Sequence, residues 1–369
     1  MTATMHGSPA IGDFDGIDLD MLIRQGFRPV PVSGVRTLTP EVLGIDLHST
    51  EAVAGSTPGS HLEVAVPLPD GPAIRHYSLL AGTAETLRVA VLRERSGRGG
   101  SAWLHRNLAS CTSLLVRGPR DTFGYDGEGP AYFVAGGIGI TPLTAMIAAA
   151  AESGRDWHLL YVGRRLESMA FADDLIEEYG SESVTIHITE TAGRPDVVHA
   201  AEEWASGREE PTTVYTCGPV PLMRALEIGF EHHSGISVIS EDFDEAEEPA
   251  ARSTRHHGGS ASAGAPGPGM DDVAATGEAG PDEGFVVELG DGSEVDVPAG
   301  CTIIDALSRA GVRTLSSCKK GTCGTCETVI LDGQADHRDS VLSSEEHAAQ
   351  ETMMICVSRA CGKRIALDL

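Results

Sequence analysis

The sequence has few basic residues and no long apolar run. Its 369 residues include 27 Lys and Arg against 54 Asp and Glu, a formal net charge of −27. Nucleic acids and anionic membranes bind clustered positive charge, so this balance excludes both as expected partners and favours a partner with a basic patch. No apolar stretch reaches the roughly 18 residues of a membrane span, and MTATMHGSPAIGDFDGIDLD at the start lacks the regions of a secretory signal. These absences predict a cytoplasmic protein.

Cysteine is sparse along most of the chain but concentrated near its end. Eight cysteines in 369 residues are too few for a disulfide scaffold. Three of them lie in SSCKKGTCGTCETVILDG, residues 316–333, and a fourth follows in MMICVSRAC. In a reducing compartment such a close group indicates a metal or redox centre.

The length suits two or three domains of about 100 to 150 residues each. Residues 245–283 are rich in Ala, Gly, Ser, Pro and acidic residues and nearly free of large apolar ones, which predicts a flexible linker. The linker's pair His256 and His257 has no structured partner ligands, so a solvated segment is favoured over a metal site. The predicted division is an N-terminal extension at 1–32, domains at 33–124 and 125–244, the linker, and a last domain at 284–369.

Before the linker, the chain shows two different patterns of apolar residues, one in each predicted domain. The first domain shows short apolar runs between turn signals, such as LEVAVPLPDGP and LRVAVLRERSGRGG, which predict a small antiparallel barrel or sandwich. In the second, AYFVA predicts a buried strand, GGIGITP a turn and PLTAMIAAAAES a helix, and the strands HLLYVG, SVTIHITE and TTVYTCGP follow. This alternation predicts a parallel sheet with helices on its faces.

Two further segments predict local structure. After the linker, FVVELGDGSEVDVP predicts a hairpin around an Asp-Gly turn. CTIIDALSRAG then predicts a short helix with Thr302 as N-cap and Gly311 past its end. Near the start of the chain, FDGIDLDMLIRQGF predicts one short amphipathic helix that docks on the barrel or on a partner.

The cysteine spacing is the most specific signal in the chain. Cys318-x4-Cys323-x2-Cys326, followed after 29 intervening residues by Cys356, is the plant-type spacing of a [2Fe-2S] cluster with four thiolate ligands. Zinc sites more often use two short cysteine pairs, so zinc is the weaker alternative. Cys361 competes as the fourth ligand, but Cys356 ends the apolar run MMICV and is expected on a buried strand.

The C-terminal segment resembles a known ferredoxin domain. HRDSVLSSEEHAAQETMMICVSRACGKRIALDL, following GTCGTCE, is similar to the ferredoxin domain of the phthalate dioxygenase reductase family of flavin- and iron-sulfur-containing reductases. The resemblance supports Cys356 as a ligand and places His337 in a family loop rather than on a metal. It implies a multidomain fold with an antiparallel β-barrel flavin domain, an α/β parallel-sheet nucleotide domain and an α+β β-grasp ferredoxin domain.

A second resemblance concerns the flavin. RHYSL at 75–79 resembles the R-x-Y-S motif of the wider ferredoxin-reductase superfamily, and GRGGS at 97–101 can form an anion-binding turn. An arginine can bind a phosphate, a tyrosine can pack on a flavin, and a serine can form a hydrogen bond with the edge of the flavin ring. The resemblance implies FMN, bound by Arg75, Tyr77, Ser78, Val91, Gly99, Gly100 and Ser101.

A third motif concerns the nicotinamide nucleotide. AGGIGITP at 135–142 follows a predicted parallel strand at its carboxyl end, where such sheets bind ligands. The resemblance implies that this turn and CGPVPLM hold NADH, and that SEDF ends the domain with an aromatic ring over the flavin. Arg164 and Arg165 either pair with a 2′-phosphate or are ordinary surface charges. The implied nucleotide-binding residues are Gly136, Gly137, Gly139, Thr141 and Gly218, with Cys217 and Phe243 at the reacting rings.

These motifs together predict an NADH-dependent reductase that passes electrons through FMN and a [2Fe-2S] cluster to a partner oxygenase or demethylase, most readily one of Rieske type. One alternative is a permanent electron-transfer subunit of a cytochrome P450 or other multi-subunit monooxygenase. Another is a non-catalytic iron-sulfur sensor or assembly subunit. The N-terminal extension is expected to contact the partner, an idea that fails if deletion of residues 1–30 leaves partner reduction unchanged.

Overall fold

The computed structural model describes residues 19–49, 57–69, 71–83, 85–243 and 283–369. The chain divides into two compact units, Met1–Asp244 and Glu245–Leu369. Most of the predicted linker and the first 18 residues lie outside the described residues. None of the helices in the described ranges is both long and apolar enough to cross a membrane.

The first half of the N-terminal unit is a six-stranded antiparallel sheet of order β4-β3-β6-β1-β2-β5. A bridge between Leu79 and Val89 joins its two edge strands, so the sheet closes into a barrel. The barrel interior is filled by aliphatic side chains from β1, β2, β3, β5 and β6, from Leu79 just after β4 and from α2, as the alternating apolar pattern predicts. The elements are α1 (Leu19–Arg24), β1 (Arg28–Thr39), β2 (Val42–His48), β3 (His61–Leu68), β4 (Gly71–Ser78), β5 (Thr86–Leu92), α2 (Gly100–Asn107) and β6 (Ser113–Arg120).

The described end of the N-terminal extension is part of this barrel. Helix α1 lies where FDGIDLDMLIRQGF predicts it, and its Leu22 is fully buried. Arg117 of β6 donates to the carbonyl of Gln25 at 3.1 Å, and its guanidinium covers the Phe27 ring at 4.9 Å. The predicted helix therefore docks on the barrel, and β1 begins before the boundary expected at residue 33.

The second half of this unit is a five-stranded parallel sheet of order β11-β10-β7-β8-β9. Helices cover both faces, with one apolar core under α3 and α4 and another under α6 and α7. This is the α/β arrangement predicted from the alternating pattern. The elements are β7 (Ala131–Gly136), α3 (Ile140–Glu152), β8 (Trp157–Gly163), α4 (Ala172–Tyr179), β9 (Val184–Ile188), α5 (Thr189–Ala192), α6 (Val197–Ala205), β10 (Thr212–Cys217), α7 (Val220–Phe230) and β11 (Ile236–Glu241).

The C-terminal unit is a small mixed sheet of order β13-β12-β18-β14-β16, with a separate pair β15-β17. Its core packs α8 against the sheet, and Thr302 caps α8 by accepting from the Asp305 amide at 3.1 Å. The hairpin, the helix and the N-cap are those predicted. The elements are β12 (Phe285–Leu289), β13 (Glu294–Val297), α8 (Ile303–Arg309), β14 (Glu327–Asp332), β15 (Ala335–Asp336), α9 (Ser344–Ala349), β16 (Thr352–Met354), β17 (Arg359–Ala360) and β18 (Arg364–Leu367).

Candidate functional site

Four buried cysteines come together in the C-terminal unit. Cys318, Cys323 and Cys326 lie on the loop between α8 and β14, and Cys356 follows β16; all four are less than 10% exposed. Cys323 hydrogen-bonds to Cys318, and Cys326 to Cys356. A compact set of four buried sulfurs is the donor set of a [2Fe-2S] cluster. By contrast, the Cys361 side chain is exposed.

The loop around these sulfurs supplies the donors that a thiolate needs. The Cys318 sulfur accepts from the Lys320 amide at 3.3 Å and from the Thr322 hydroxyl at 3.5 Å. The Cys323 thiol, followed by Thr322 and the backbone, holds the pKa of Cys318 below its usual range. Gly321 has a φ of +75°, and a Cβ there would lie 2.6 Å from a Val357 methyl. The loop therefore fits tightly around the sulfurs and stabilises the thiolate form of Cys318, the form that binds iron.

Two arginine side chains, those of Arg75 and Arg98, lie near the start of α2 on the barrel. A Cβ added to Gly100 would lie 2.7 Å from the Arg75 Nε, so the half-buried guanidinium covers the first turn of this helix. Gly99 precedes the helix with a φ of +87°, and burial followed by the nearby Arg75 charge lowers the pKa of Arg98. A helix N-terminus with two guanidinium groups is a phosphate site. These residues fit the phosphate of FMN, and Arg98 beside them was not singled out from the sequence.

Other predicted flavin residues lie around this point. The Ser101 hydroxyl accepts from the Glu94 amide at 3.1 Å and ties the preceding loop to α2. Tyr77 packs against the barrel core, where burial raises the pKa of its phenol. Val91 lies within the core, and its carbonyl is 2.9 Å from the His105 Nε2. Only the backbone and neighbours of Val91 are therefore available to a ligand.

The glycine-rich turn between β7 and α3 packs directly on the turn after β10. A Cβ on Gly139 would lie 2.2 Å from the Cys217 carbonyl oxygen, and one on Gly218 would lie 2.8 Å from the Gly136 Cα. Gly137, with a φ of +56°, has open space around its Cα. The strands β7 and β10 are parallel neighbours with Ala135 opposite Cys217. Glycine is required here because two backbones meet at the carboxyl ends of both strands, the edge at which parallel sheets bind ligands.

The flavin and nucleotide residues meet at a junction between the barrel and the parallel sheet. The hydroxyls of Ser78, at the end of β4, and Thr141, in the first turn of α3, are 3.5 Å apart and buried. Beside them, Val42 and Ala90 of the barrel pack with Ala170 of the nucleotide domain. The motif that the sequence assigns to the flavin therefore touches the motif that it assigns to the nucleotide.

Cys217, which ends β10 of the parallel sheet, and Phe243, which follows β11, differ in the exposure of their side chains. Cys217 is fully buried, and burial followed by Glu241 and Asp242 raises the pKa of its thiol. Phe243, which follows β11, is 41% exposed, so its ring is not a core residue. An exposed ring at this place is free to cover a bound flavin.

Sequence analysis missed two ionisable residues near the junction. Glu241 ends β11 opposite Cys217, and burial followed by Asp121 raises its pKa to about 8. His61 begins β3 opposite Ser78, and burial followed by His76 lowers its pKa to about 3. No local motif marks either residue, although Glu241 lies in the quoted SEDF segment.

Two arginines, Arg164 and Arg165, follow β8 in the nucleotide domain. Arg165 donates twice to the Glu190 carboxylate, from Nε and Nη2, each at 2.7 Å. Arg164 is largely exposed, with its Nε 4.0 Å from the same carboxylate. Both arginines thus face a carboxylate.

Two protein-family models match the chain. The oxidoreductase NAD-binding domain covers residues 133–227, and the 2Fe-2S iron-sulfur cluster binding domain covers residues 286–361. A putative toluene-4-sulfonate monooxygenase system reductase subunit of Comamonas testosteroni is 34% identical over 92% of this chain and 98% of its own. Phthalate dioxygenase reductase of Burkholderia cepacia is 33% identical over 84% of this chain and 87% of its own. The chain belongs to the phthalate dioxygenase reductase family.

Solved structures support this membership. A phthalate dioxygenase reductase structure matches with a TM-score of 0.61 and 29% identity, covering 94% of this chain and 99% of its own. An intact type IV self-sufficient cytochrome P450 monooxygenase matches with a TM-score of 0.69 and 36% identity, and this chain spans 41% of it. Membership confirms the predicted multidomain fold, the enzyme class of NAD(P)H-dependent oxidoreductase, and the cofactors FMN, NADH and a [2Fe-2S] cluster.

Proposed function

We propose that this chain is the reductase component of an oxygenase or demethylase system and delivers electrons from NADH to a separate partner. The contact between Ser78 and Thr141 carries the proposal, because it joins the two binding motifs at one junction. Bound FMN supplies the chemistry of accepting a hydride and returning electrons singly, which lets a two-electron donor serve one-electron acceptors.

Each residue group has a distinct task in this proposal. Arg75, with the first turn of α2, holds the flavin phosphate, and the absence of any adenine-binding motif favours FMN. The glycine turns around Gly139 and Gly218 admit the nucleotide pyrophosphate close to the backbone. Phe243 covers the flavin until the nicotinamide replaces it. The ligands of the cluster are Cys318, Cys323, Cys326 and Cys356.

Glu190 selects NADH over NADPH in this proposal. Its carboxylate occupies the Arg165 guanidinium and adds negative charge where a 2′-phosphate would approach. Replacing Glu190 by Gln removes that charge and releases Arg165, so the KM for NADPH should fall about two- to fivefold, the range of one exposed charge contact. Steady-state kinetics with both nucleotides measures this.

Two control variants accompany the Glu190 experiment. Arg165→Gln in the Glu190→Gln background should remove the gain with NADPH, whereas Glu167→Gln should have little effect because its contact with Arg165 is longer, at 3.7 Å. An unchanged ratio of NADPH to NADH use in Glu190→Gln would show that Glu190 does not determine specificity.

The partner is proposed to dock through a basic patch, because the chain carries a net charge of −27. Cytochrome c, a basic haem protein that takes one electron at a time, is a suitable probe. NADH-dependent reduction of cytochrome c should slow about tenfold between ~0.01 M and ~0.3 M salt, since salt screens the attraction. Absence of any NADH-dependent reduction counts against the reductase function, and a rate independent of salt counts against docking by charge.

One observation favours a different electron acceptor, the haem of a cytochrome P450. The relative with the TM-score of 0.69 carries its cytochrome P450 in the same polypeptide, so a P450 haem is an alternative acceptor for this chain. Copurification with a tightly bound haem subunit would favour this alternative, whereas a monomeric reductase that donates in transient encounters would favour a Rieske-type oxygenase.

A further inference from the structure

The hydroxyl of Tyr161 joins two backbone carbonyls beneath the glycine-rich turn. Tyr161 lies on β8 opposite Ala135 of β7, and its side chain is fully buried in the core under α3 and α4. The hydroxyl is 3.0 Å from the Gly137 carbonyl oxygen and 3.1 Å from that of Ala170. Burial raises the pKa of the phenol, so the hydroxyl keeps its hydrogen. A tyrosine hydroxyl has one hydrogen to donate, so the two carbonyls share it.

The bond to the Gly137 carbonyl fixes the orientation of one peptide in the turn. Gly137 has a φ of +56° and open space around its Cα, and glycine changes backbone conformation at little cost. Its carbonyl also accepts from the Ile140 amide. A trans peptide holds its C=O and N–H on opposite sides, so a Gly137 carbonyl directed at Tyr161 in the core turns the Ile138 amide away from the core. The hydroxyl therefore helps to set the direction of this amide.

The amide that the turn directs outward lies at the carboxyl end of β7. Gly137 and Ile138 are half-buried, and α3 begins just after them, at Ile140. Backbone amides at such a strand-to-helix turn bind phosphate oxygens, and the dipole of the helix adds to the attraction. The Ile138 amide is therefore available to the pyrophosphate of a nucleotide.

The second carbonyl connects the turn to the junction with the barrel. Ala170 packs with Val42 and Ala90 of the barrel, and Ile138 of the turn is partly buried against the same cluster. The next residue, Phe171, also packs there and has a φ of +66°, which is uncommon for a bulky side chain. A backbone in such a conformation persists only where its surroundings fix it. The tyrosine hydroxyl thus ties the turn to a segment that is itself held in place.

We infer that Tyr161 is a positioning residue for the nicotinamide nucleotide, and that its hydroxyl holds the Ile138 amide toward the pyrophosphate. This inference rests on the proposed function, since it takes the glycine-rich turn as the pyrophosphate site. The ring of Tyr161 contributes to the core, and the hydroxyl contributes to binding. Tyr161→Phe separates these two contributions because it keeps the ring and removes only the hydroxyl.

The test is a calorimetric titration of the oxidised, FMN-loaded protein with ADP-ribose, which has the pyrophosphate of NADH but no nicotinamide and cannot donate a hydride. In Tyr161→Phe the Kd for ADP-ribose should rise about two- to tenfold, the range of one net hydrogen bond. Stopped-flow mixing with NADH should show the same rise in the half-saturating concentration. The limiting rate of flavin reduction should stay within about twofold of that of the unsubstituted protein, because the hydroxyl touches neither reacting ring.

Tyr215→Phe is the matched control. Tyr215 is also fully buried in the same sheet, but its hydroxyl donates to the Asp126 Oδ1 at 2.7 Å rather than to the turn. In chemical unfolding, Tyr215→Phe and Tyr161→Phe should lose similar stability, and only Tyr161→Phe should bind ADP-ribose more weakly. Equal Kd values in all three proteins overturn the inference. An equal loss of affinity in both variants also overturns it, because that result shows a general loosening of the domain.

The inference and the proposed function fail in different ways. If the unsubstituted protein binds ADP-ribose but NADH reduces no flavin, the proposed function fails, while the two Phe variants still decide whether Tyr161 positions the turn. If NADH reduces the flavin but the unsubstituted protein does not bind ADP-ribose, the turn is not a pyrophosphate site and the inference is overturned.

Discussion

Cys356→Ser is expected to abolish the [2Fe-2S] cluster. Cys356 is 3% exposed and hydrogen-bonded to Cys326, and a serine hydroxyl there would be a harder and far less acidic donor than a thiolate. Iron content, visible absorbance of the cluster and its EPR signal should all be lost. NADH-dependent reduction of cytochrome c should fall on the order of a hundredfold, since the one-electron donor is missing.

Two controls separate this effect from general damage. Cys361→Ser removes a neighbouring but exposed cysteine and should retain the EPR signal. Ferricyanide, which can take electrons from the flavin directly, should still be reduced by Cys356→Ser, because the flavin residues belong to the other unit. A cluster that survives in Cys356→Ser and is lost in Cys361→Ser would assign the fourth ligand to Cys361.

Gly139→Ala is expected to block the reaction with NADH. The added methyl would lie 2.2 Å from the Cys217 carbonyl oxygen and 2.7 Å from the Gly218 nitrogen. Both are backbone atoms, so a strand end must shift, at a cost of about 1 to 3 kcal/mol or more. A displacement of about 1 Å at a reacting site costs roughly a hundredfold in rate, and flavin reduction by NADH should slow by that order in stopped-flow measurements.

The matched control for this prediction is at the other end of the same helix. Gly154 follows α3 with a φ of +70° and open space around its Cα, so Gly154→Ala should lower stability by about 1 kcal/mol through backbone strain. Its rate of flavin reduction should be unchanged. Chemical reduction of the Gly139→Ala flavin by dithionite should also remain normal. If Gly139→Ala reacts with NADH as fast as the unsubstituted protein, the two turns do not form the nucleotide site.

The sequence predicted best those features that depend on neighbouring residues. The spacing of Cys318, Cys323 and Cys326 lies within one loop, and the Thr302 cap of α8 is a local contact, so both could be read from short segments. The glycines at 136, 139 and 218 were also identified. These positions need glycine because two backbone segments are in contact there, and this contact becomes visible only when β7 and β10 lie side by side.

Features that depend on distant residues could not be predicted. His61, Thr122 and Glu241 are far apart in the sequence, and only the docking of the parallel sheet on the barrel brings them together. Arg98 lies within the quoted GRGGS segment, but its neighbour Arg75 comes from another element. The side chain of Val91 belongs to the barrel core, a point that alternation along the strand does not reveal, because it does not show which side is the interior.

The most direct test of the central claim is an anaerobic titration of the purified protein with NADH, with flavin absorbance and cluster EPR recorded on the same samples. The flavin should bleach, and the signal of the reduced [2Fe-2S] cluster should appear, as NADH is added. If both cofactors are present and NADH reduces neither, or if the flavin bleaches without any cluster signal, the electron path proposed for this chain is contradicted.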